Sequence, residues 1–540
     1  MSRSVFALFM LCSLSGWSHV SAAEESTEAA AEDGSSLVAS ESSKDADVKD
    51  AGAAAESDEN TKVTQHTVAI DGVELAYTAT AREMVMKNDA GDKKARVFFV
   101  AYTKDGVDDP TTRPITFCFN GGPGSSSVWL HLGMLGPRRV VVPSDAQPAR
   151  PPHAVVDNPF SLLDRTDLVF IDPVSTGYSR PAEDEDKKQF HGYQEDLKSV
   201  GQFIHDYTTE YGRWASPKFV LGESYGGLRA AGLTGTLQDR YNMYLNGVVL
   251  ISAVVDFQTL RFSRDNQLPY ALFLPSYTAT AWYHKALPEN LQRLPLEKVV
   301  ERAERFAQDE YLPALLKGDA LGKDERAKLV KRIARLTGLD AEYVDRSDLR
   351  LVMWRFGKEL LRDREQTVGR FDSRYTGVDR DQAGESTEYD PSGAALFGPY
   401  TSAMNDYLHR ELEYRSERVY EILTRNVQPW SYDGFENRYV NASETLRKAM
   451  TANPYLKVFA ALGHYDLATP QYAMRYTLDH LGLPEHLREN LSVEYYDAGH
   501  MMYVHEPSLE KLRKDLLAFY GSALDEAPAE PAEKAETGAE

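Results

Sequence analysis

The feature that most constrains the fold is a serine between two glycines, directly after a short apolar run. Residues 222–226 read Gly-Glu-Ser-Tyr-Gly and follow the apolar residues 219–221. The pattern G-x-S-x-G predicts a tight turn from a strand into a helix, with the Ser224 hydroxyl free to attack a carbonyl group. Glycines are expected there because the backbones approach closely. An ordinary glycine turn is the alternative, and suitable partner residues downstream argue against it.

Apolar segments with strand character alternate with helical patterns on both sides of this turn. Those that read as strands are residues 66–70, 74–81, 96–101, 114–119, 168–171, 245–255, 456–462 and 491–496. Residues 193–211 carry apolar side chains at helical spacing, and residues 509–520 also read as a helix. The alternation predicts an α/β fold with a mostly parallel central sheet flanked by helices.

Composition along the chain predicts six parts. They are a signal peptide at 1–23, a disordered acidic leader at 24–62, a core in two parts at 63–255 and 440–524, a largely helical cap insertion at 256–439, and a disordered acidic tail at 525–540. The first part has a basic start, an apolar run and a small-residue cleavage site. The leader has too few large apolar residues to offset the entropy of ordering. The insertion contains helical runs and little that reads as a buried strand, although a separate domain is the alternative.

Charge limits the possible partners. Of 540 residues, 60 are Lys or Arg and 82 are Asp or Glu, which gives a formal net charge of −22. Such a balance argues against nucleic acid and anionic membrane surfaces as partners. We expect no membrane anchor, no cofactor and no metal, since the His, Asp and Glu spacing does not indicate a zinc site. The signal peptide predicts export, to a periplasm or to the medium.

A serine nucleophile needs a base to take its proton and a carboxylate to orient that base. In one known arrangement the acid and the base follow the serine along the chain in the order Ser, Asp, His, each in a loop after a late strand. Asp466 follows the strand at 456–462 and is predicted to be the acid, and His500 follows the strand at 491–496 and is predicted to be the base. Asp497 competes as the acid but lies on the same loop as His500. The rival bases, His464 and His505, are expected to be loop or surface residues.

The oxyanion of the reaction requires backbone N–H groups. One is expected from Tyr225, the residue after the nucleophile, and the other from an early glycine-rich loop. Residues 120–127 form such a loop, and Gly122 is the predicted donor within it. Phosphate binding is a weak alternative because no lysine follows and the loop does not read G-x-G-x-x-G.

Five motifs resemble the serine carboxypeptidase family in order and spacing. They are FNGGPGSSS (119–127), FIDPVSTGYS (170–179), GESYGG (222–227), GHYD (463–466) and AGHMM (498–502). The resemblance implies an α/β-hydrolase fold and removal of the C-terminal residue of peptides with a free C-terminus through an acyl-enzyme. It implies Ser224, Asp466 and His500 as the triad, with Gly122 and Tyr225 as the oxyanion donors.

The resemblance also implies that Asn120, Gly121 and Glu223 bind the free carboxylate of the substrate. A protonated Glu223 can donate to that carboxylate, whereas an ionised one repels it. Members of the family usually carry a second glutamate where this chain has Met134. Without that partner, Glu223 is expected to titrate nearer to a single carboxyl, unless burial raises its pKa. An esterase or acyltransferase therefore stays open, as does a non-catalytic binding protein of the same fold.

Overall fold

The computed structural model describes residues 61–525. The expected signal peptide at 1–23 lies outside the described residues, as do nearly all of the leader at 24–62 and of the tail at 525–540. The first strand begins at Lys62, within the last positions assigned to the leader.

Strands occupy all eight segments that the sequence predicts and the apolar run before Ser224, and five further strands of two or three residues in the described part of the chain were not predicted. The described strands are β1 (Lys62–Ile70), β2 (Val73–Lys87), β3 (Lys93–Lys104), β4 (Ile115–Phe119), β5 (Arg138–Val140), β6 (Val155–Asp157), β7 (Asp167–Ile171), β8 (Arg180–Pro181), β9 (Lys218–Glu223), β10 (Gly247–Ile251), β11 (Thr367–Val368), β12 (Thr376–Gly377), β13 (Lys457–Gly463) and β14 (Leu491–Tyr496). Strand β10 ends four residues before the predicted limit of 255, because Ser252 takes a left-handed conformation with φ of 42°.

Within residues 61–525, ten of these strands form one sheet in the order β1-β2-β3-β7-β4-β9-β10-β13-β14, with β8 paired to the side of β3. Strands β1, β2 and β3 pair antiparallel, and β3 also pairs antiparallel with β7. From β7 to β14 all pairings are parallel. Parallel strands covered on both faces read as continuous apolar runs, as β4, β9 and β10 do.

Helices cover both faces of the sheet. The described α-helices are α1 (Val128–Leu130), α2 (Tyr193–Glu210), α3 (Tyr225–Tyr241), α4 (Leu268–Leu272), α5 (Leu274–Tyr283), α6 (Glu289–Gln292), α7 (Leu296–Phe306), α8 (Leu312–Lys317), α9 (Lys323–Thr337), α10 (Ala341–Arg346), α11 (Met353–Glu359), α12 (Pro391–Arg410), α13 (Ser443–Ala452), α14 (Gln471–Asp479), α15 (Glu485–Arg488) and α16 (Glu506–Ala523). Helices α2, α3 and α13 share one apolar core with the sheet, and α12 and α16 share another.

Strands β10 and β13 are neighbours in the sheet but are separated in sequence by residues 252–456. This segment holds α4 to α13 and two strands of two residues each, so it is largely helical. Helices α4, α5, α7 and α9 build a separate apolar cluster. No described helix combines the length and apolar character that crossing a bilayer requires.

Since strands β4, β9, β13 and β14 run parallel, their carboxyl ends lie at the same edge of the sheet. The glycine-rich loop 120–127, Ser224, Asp466 and His500 each follow one of these ends. The topology therefore gathers the predicted site residues at one edge, where open α/β sheets bind their ligands.

Candidate active site

Ser224 lies at the turn between β9 and α3. Its backbone has φ of 62° and ψ of −126°, a strained conformation for a residue other than glycine, which costs about 1–3 kcal/mol. The turn is held by hydrogen bonds of 3.0 Å from Ser224 N to Ile251 O and of 2.9 Å from Gly227 N to Ser224 O. A Cβ atom on Gly222 would lie 2.0 Å from Gly226 O. The motif glycines are therefore required by space, as the sequence pattern predicts.

The glycine-rich loop lies against this turn. A Cβ atom on Gly121 would lie 2.5 Å from Tyr225 N, so the loop backbone passes directly beside the first amide of α3. Gly122 has φ of +102°, a conformation that side chains disfavour. The amide groups of the first turn of a helix lack intrahelical partners and point toward the helix N-terminus. Gly122 and Tyr225, the two predicted donors, thus sit on backbone segments in contact.

Two elements hold the loop from opposite sides. On the inside, the buried Arg229 donates from Nη1 to Asn120 O at 2.6 Å and from Nε to Asp196 Oδ2 at 2.7 Å. On the outside, residues 422–424 pair with the loop through Ser126 N to Ile422 O (3.0 Å) and Thr424 N to Gly124 O (2.9 Å). None of these partners belongs to a motif, so sequence reasoning missed them.

Asp466 and His500 are in direct contact. His500 Nδ1 lies 2.7 Å from Asp466 Oδ2, and the two side chains are 4% and 0% exposed. Asp466 Oδ1 accepts hydrogen bonds from Ala468 N (2.7 Å) and Thr469 N (2.9 Å). The Thr469 hydroxyl lies 2.7 Å from Asp466 Oδ2 and 3.1 Å from His500 Nδ1. These contacts fix the carboxylate and leave His500 Nε2 as the ring atom able to exchange a proton with a substrate.

Opposing effects set the pKa of His500. Burial lowers it, but the charge of Asp466 and the hydrogen bond to Asp466 raise it more, and the charge of Glu223 raises it further, so that the net shift is upward. A carboxylate partner that stabilises the protonated ring is what a general base of this kind requires.

The rival residues lie elsewhere. Asp497 is exposed, and its backbone carbonyl accepts a hydrogen bond of 3.2 Å from Arg374 Nη1. His505 caps α16 and pairs with Ser508 Oγ at 2.8 Å. His464 is buried and stacks on Tyr495 at 5.6 Å between ring centroids. His464 thus occupies a loop position after β13, as expected, but it is buried rather than at the surface.

Glu223, directly before Ser224, is almost fully buried. One carboxyl oxygen, Oε2, accepts a hydrogen bond of 2.7 Å from the Tyr503 hydroxyl. Burial raises the pKa of Glu223 to about 7, against smaller lowering effects of His500 and Tyr503. Met134, in place of a second glutamate, predicts an ordinary pKa for Glu223 unless burial raises it. Burial does raise it, because desolvation disfavours the charged form. The nearby Asn120 Nδ2 is buried without a well-formed hydrogen bond in the described part of the chain.

A short segment of the intervening region, residues 370–374, bonds to both loops that carry the acid and the base. Phe371 O accepts a hydrogen bond from His500 N at 2.6 Å, and Arg370 O accepts one from Leu467 N at 3.1 Å. Asp372 Oδ2 accepts a further one from Gly499 N at 3.2 Å. Asp372 is itself buried and paired with Arg374 at 2.6 Å. Sequence reasoning missed this segment because no motif marks it and its partners lie about 100 or more residues away.

The sheet order, with the strained turn at Ser224 after β9 and the Asp466–His500 pair after β13 and β14, is that of the α/β-hydrolase fold. The crystal structure of KEX1ΔP, a prohormone-processing carboxypeptidase from Saccharomyces cerevisiae, has this fold, with a TM-score of 0.51 and 16% identity over 82% of this chain and 91% of that chain. A proline iminopeptidase from Mycobacterium smegmatis aligns over 82% of this chain and 99% of its own, with a TM-score of 0.36 and 14% identity.

Sequence comparison indicates which proteins of this fold the chain resembles. Residues 86–305 match the family model described as serine carboxypeptidase. The pheromone-processing carboxypeptidase KEX1 of S. cerevisiae is 34% identical over 137 residues, which are 24% of this chain and 18% of the relative. The chain thus spans less than a fifth of the curated relatives it matches. Over these residues the chain is similar to the serine carboxypeptidase family.

The contact between segment 370–374 and the His500 loop generates a prediction. A Cβ atom on Gly499 would lie 2.4 Å from Phe371 O and 2.5 Å from Asp372 Cα, so Gly499→Ala must displace the loop. Since a shift of about 1 Å can cost about 100-fold in rate, we expect kcat on a chromogenic ester to fall by roughly that factor while the protein stays folded.

Gly398→Ala is the matched control, because a Cβ atom there meets nothing within 4 Å. It should retain full activity. Equal activity of the two variants would show that the loop tolerates displacement and that segment 370–374 does not hold His500 in place.

Proposed function

We propose that this chain is an exported serine carboxypeptidase, which removes the C-terminal residue of peptides through an acyl-enzyme. The match of residues 86–305 to the serine carboxypeptidase model supports the reaction class. The placement of Ser224, Asp466 and His500 after neighbouring strand ends, with His500 paired to Asp466, supports the mechanism. The observation that carries the proposal is the buried carboxyl of Glu223, whose pKa of about 7 keeps it largely protonated in mildly acid solution, beside the proposed nucleophile.

In acylation, Ser224 Oγ attacks the scissile carbonyl while His500 Nε2 takes the hydroxyl proton. Asp466, at 2.7 Å from His500 Nδ1, stabilises the imidazolium that forms. His500 then returns the proton to the leaving amine, and the C-terminal residue departs. A water molecule then attacks the acyl-enzyme ester on Ser224 while His500 again acts as the base. His500 returns the proton to Ser224 Oγ, and the shortened peptide is released.

The negative charge on the tetrahedral intermediate is stabilised by the N–H groups of Tyr225 and Gly122. Tyr225 begins the 17-residue helix α3, so its amide has no intrahelical partner and the helix dipole favours an anion there. Donors fixed before the reaction need no reorganisation as charge develops, and one such donor contributes about 10²–10³ in kcat.

The free carboxylate of the substrate is recognised by Glu223, Asn120 and Gly121. A protonated Glu223 donates one hydrogen bond, and Asn120 Nδ2, a buried donor without a well-formed partner in the described residues, supplies a second. The Gly121 N–H is a third donor. The hydrogen-bonding capacity of this buried amide is poorly used in the absence of substrate, so a bound carboxylate that accepts from it is stabilised.

The division of the chain enters the proposal as well. Residues 1–23 would direct export to a periplasm or to the medium, and residues 256–439 would cap the site. An esterase or acyltransferase using the same triad is the second candidate, since the buried Met134 occupies the usual position of a second glutamate. Peptides with a free C-terminus are the proposed substrates.

The substrate class is tested with a blocked dipeptide that has either a free or an amidated C-terminus. We expect the free acid to be hydrolysed at a much higher kcat/KM than the amide, because the amide lacks the charge that Glu223, Asn120 and Gly121 bind. Ser224→Ala should lower kcat by roughly 10⁴–10⁶-fold and abolish labelling by a fluorophosphonate. Comparable turnover of both dipeptides, or turnover of simple esters alone, would establish the second candidate instead.

The pH dependence of kcat/KM follows from two groups with opposite requirements. His500 acts as a base when neutral, so activity rises as pH passes through its pKa, which lies above 6.5. Glu223 binds the substrate when protonated, so activity falls as pH passes through its pKa of about 7. We expect a narrow bell-shaped pH profile of kcat/KM for the free-acid dipeptide. Its two apparent pKa values belong to His500 and Glu223 as a coupled pair.

An ester substrate without a free carboxylate should show the rising limb and lack the falling one. The same loss of the falling limb is expected for the free acid with Glu223→Gln, since an amide donates at any pH. Identical bells for the ester and the free acid would contradict the role of Glu223.

A further inference from the structure

The partner of Glu223 is a tyrosine that the sequence motifs do not include. Tyr503 lies three residues after His500, in the 3-10 turn Met502–Val504 that leads into α16. Its hydroxyl donates to Glu223 Oε2 at 2.7 Å, and both side chains are buried. The chain segment that carries the proposed base therefore also carries the residue that contacts the proposed carboxylate-binding group.

The packing around Tyr503 fixes its ring. A Cβ atom on Gly133 would lie 2.4 Å from Tyr503 Cε2 and 2.6 Å from the Tyr400 hydroxyl, so the π-helical turn His131–Leu135 packs directly on both rings. Met134 in the same turn is buried and brings no charged group. The Tyr503 ring thus packs against this turn while its hydroxyl reaches Glu223.

We propose that Tyr503 is a positioning residue for carboxylate recognition, which holds Glu223 Oε2 so that the acid proton resides on Oε1 and is presented to the substrate. This inference rests on the proposed function. In a neutral carboxyl the oxygen without the proton is the better acceptor, so a phenol that donates to Oε2 favours the form with the proton on Oε1. The hydroxyl thus selects which oxygen donates.

A phenol differs from a second carboxyl in what it does to the titration. Two close carboxyls share one proton, whereas the Tyr503 hydroxyl keeps its proton, because burial raises its pKa well above 10. Its hydrogen bond stabilises ionised Glu223 and so lowers the pKa of Glu223, opposing burial. The other titratable groups that act on or border Glu223 are His500, Asp466 and Tyr400.

The test is Tyr503→Phe, which removes the hydroxyl and keeps the ring. Without the donor the pKa of Glu223 rises, so the falling limb of kcat/KM for the free-acid dipeptide should move upward by about one pH unit. KM for the free acid should increase about tenfold, since the proton is no longer directed to one oxygen. Kinetics on the ester should stay within about twofold of the unaltered enzyme.

Two further variants separate positioning from general packing. In a Glu223→Gln background, Tyr503→Phe should cause no shift of a pH limb. Tyr400→Phe removes another buried hydroxyl close to the same carboxyl and should leave the limb within about 0.3 pH unit. If Tyr503→Phe lowers kcat/KM equally on the free acid and the ester, and the falling limb of the pH profile does not move, Tyr503 has a structural role and the proposal is overturned.

A measurement without turnover keeps this test independent of the proposed function. The infrared band of the protonated Glu223 carboxyl, assigned by its loss in Glu223→Gln, can be titrated in the full-length protein. An upward shift of its midpoint in Tyr503→Phe supports the hydrogen bond, and an unchanged midpoint overturns it. An enzyme that hydrolyses free acid and amide equally, with the band shifted as expected, would refute the substrate class and the substrate-presenting role of Tyr503 but leave its hydrogen bond to Glu223 standing.

Discussion

The hydrogen bond between Asp466 and His500 is the interaction around which the site is built. It joins the loops after two neighbouring strands, β13 and β14, and it is buried, so its geometry cannot relax into solvent. Main-chain amides of residues 468 and 469 fix the carboxylate, and the carbonyl of Phe371 fixes the backbone of His500. An unpaired charge at this depth would be strongly destabilising, which makes the supporting contacts as necessary as the pair.

Glu223 depends on the same burial for a different purpose. A carboxyl surrounded by protein has its pKa raised because the charged form loses hydration, and the value of about 7 needs no second carboxyl. The nearby His500 and Tyr503 both lower the pKa of Glu223, but burial raises it more. A chain with Met134 at the usual position of a glutamate can therefore still present a protonated carboxyl beside Ser224.

Sequence reasoning located the parts of the site that lie in continuous motifs. Ser224, Asp466 and His500 each follow an apolar run, and parallel strands bring the ends of such runs to one edge, so their approach could be predicted. The supporting residues could not be, because Arg229, Thr469 and Tyr503 act through contacts across the fold. Tyr503 offered one signal, its position three residues after His500. The end of β10 at Ile251 depends on the backbone conformation of Ser252, which a residue pattern does not reveal.

Residues 370–374 attach the segment between β10 and β13 to the sheet edge that carries Asp466 and His500. This attachment limits how far that part of the segment can move. Their backbone bonds both the Asp466 loop and the His500 loop, and the buried Asp372–Arg374 pair adds contacts to Gly499 and Asp497. A rigid movement of this part of the segment would break hydrogen bonds to the loops of the proposed acid and base. We therefore expect substrate access to depend on other parts of residues 252–456, while segment 370–374 keeps its contacts.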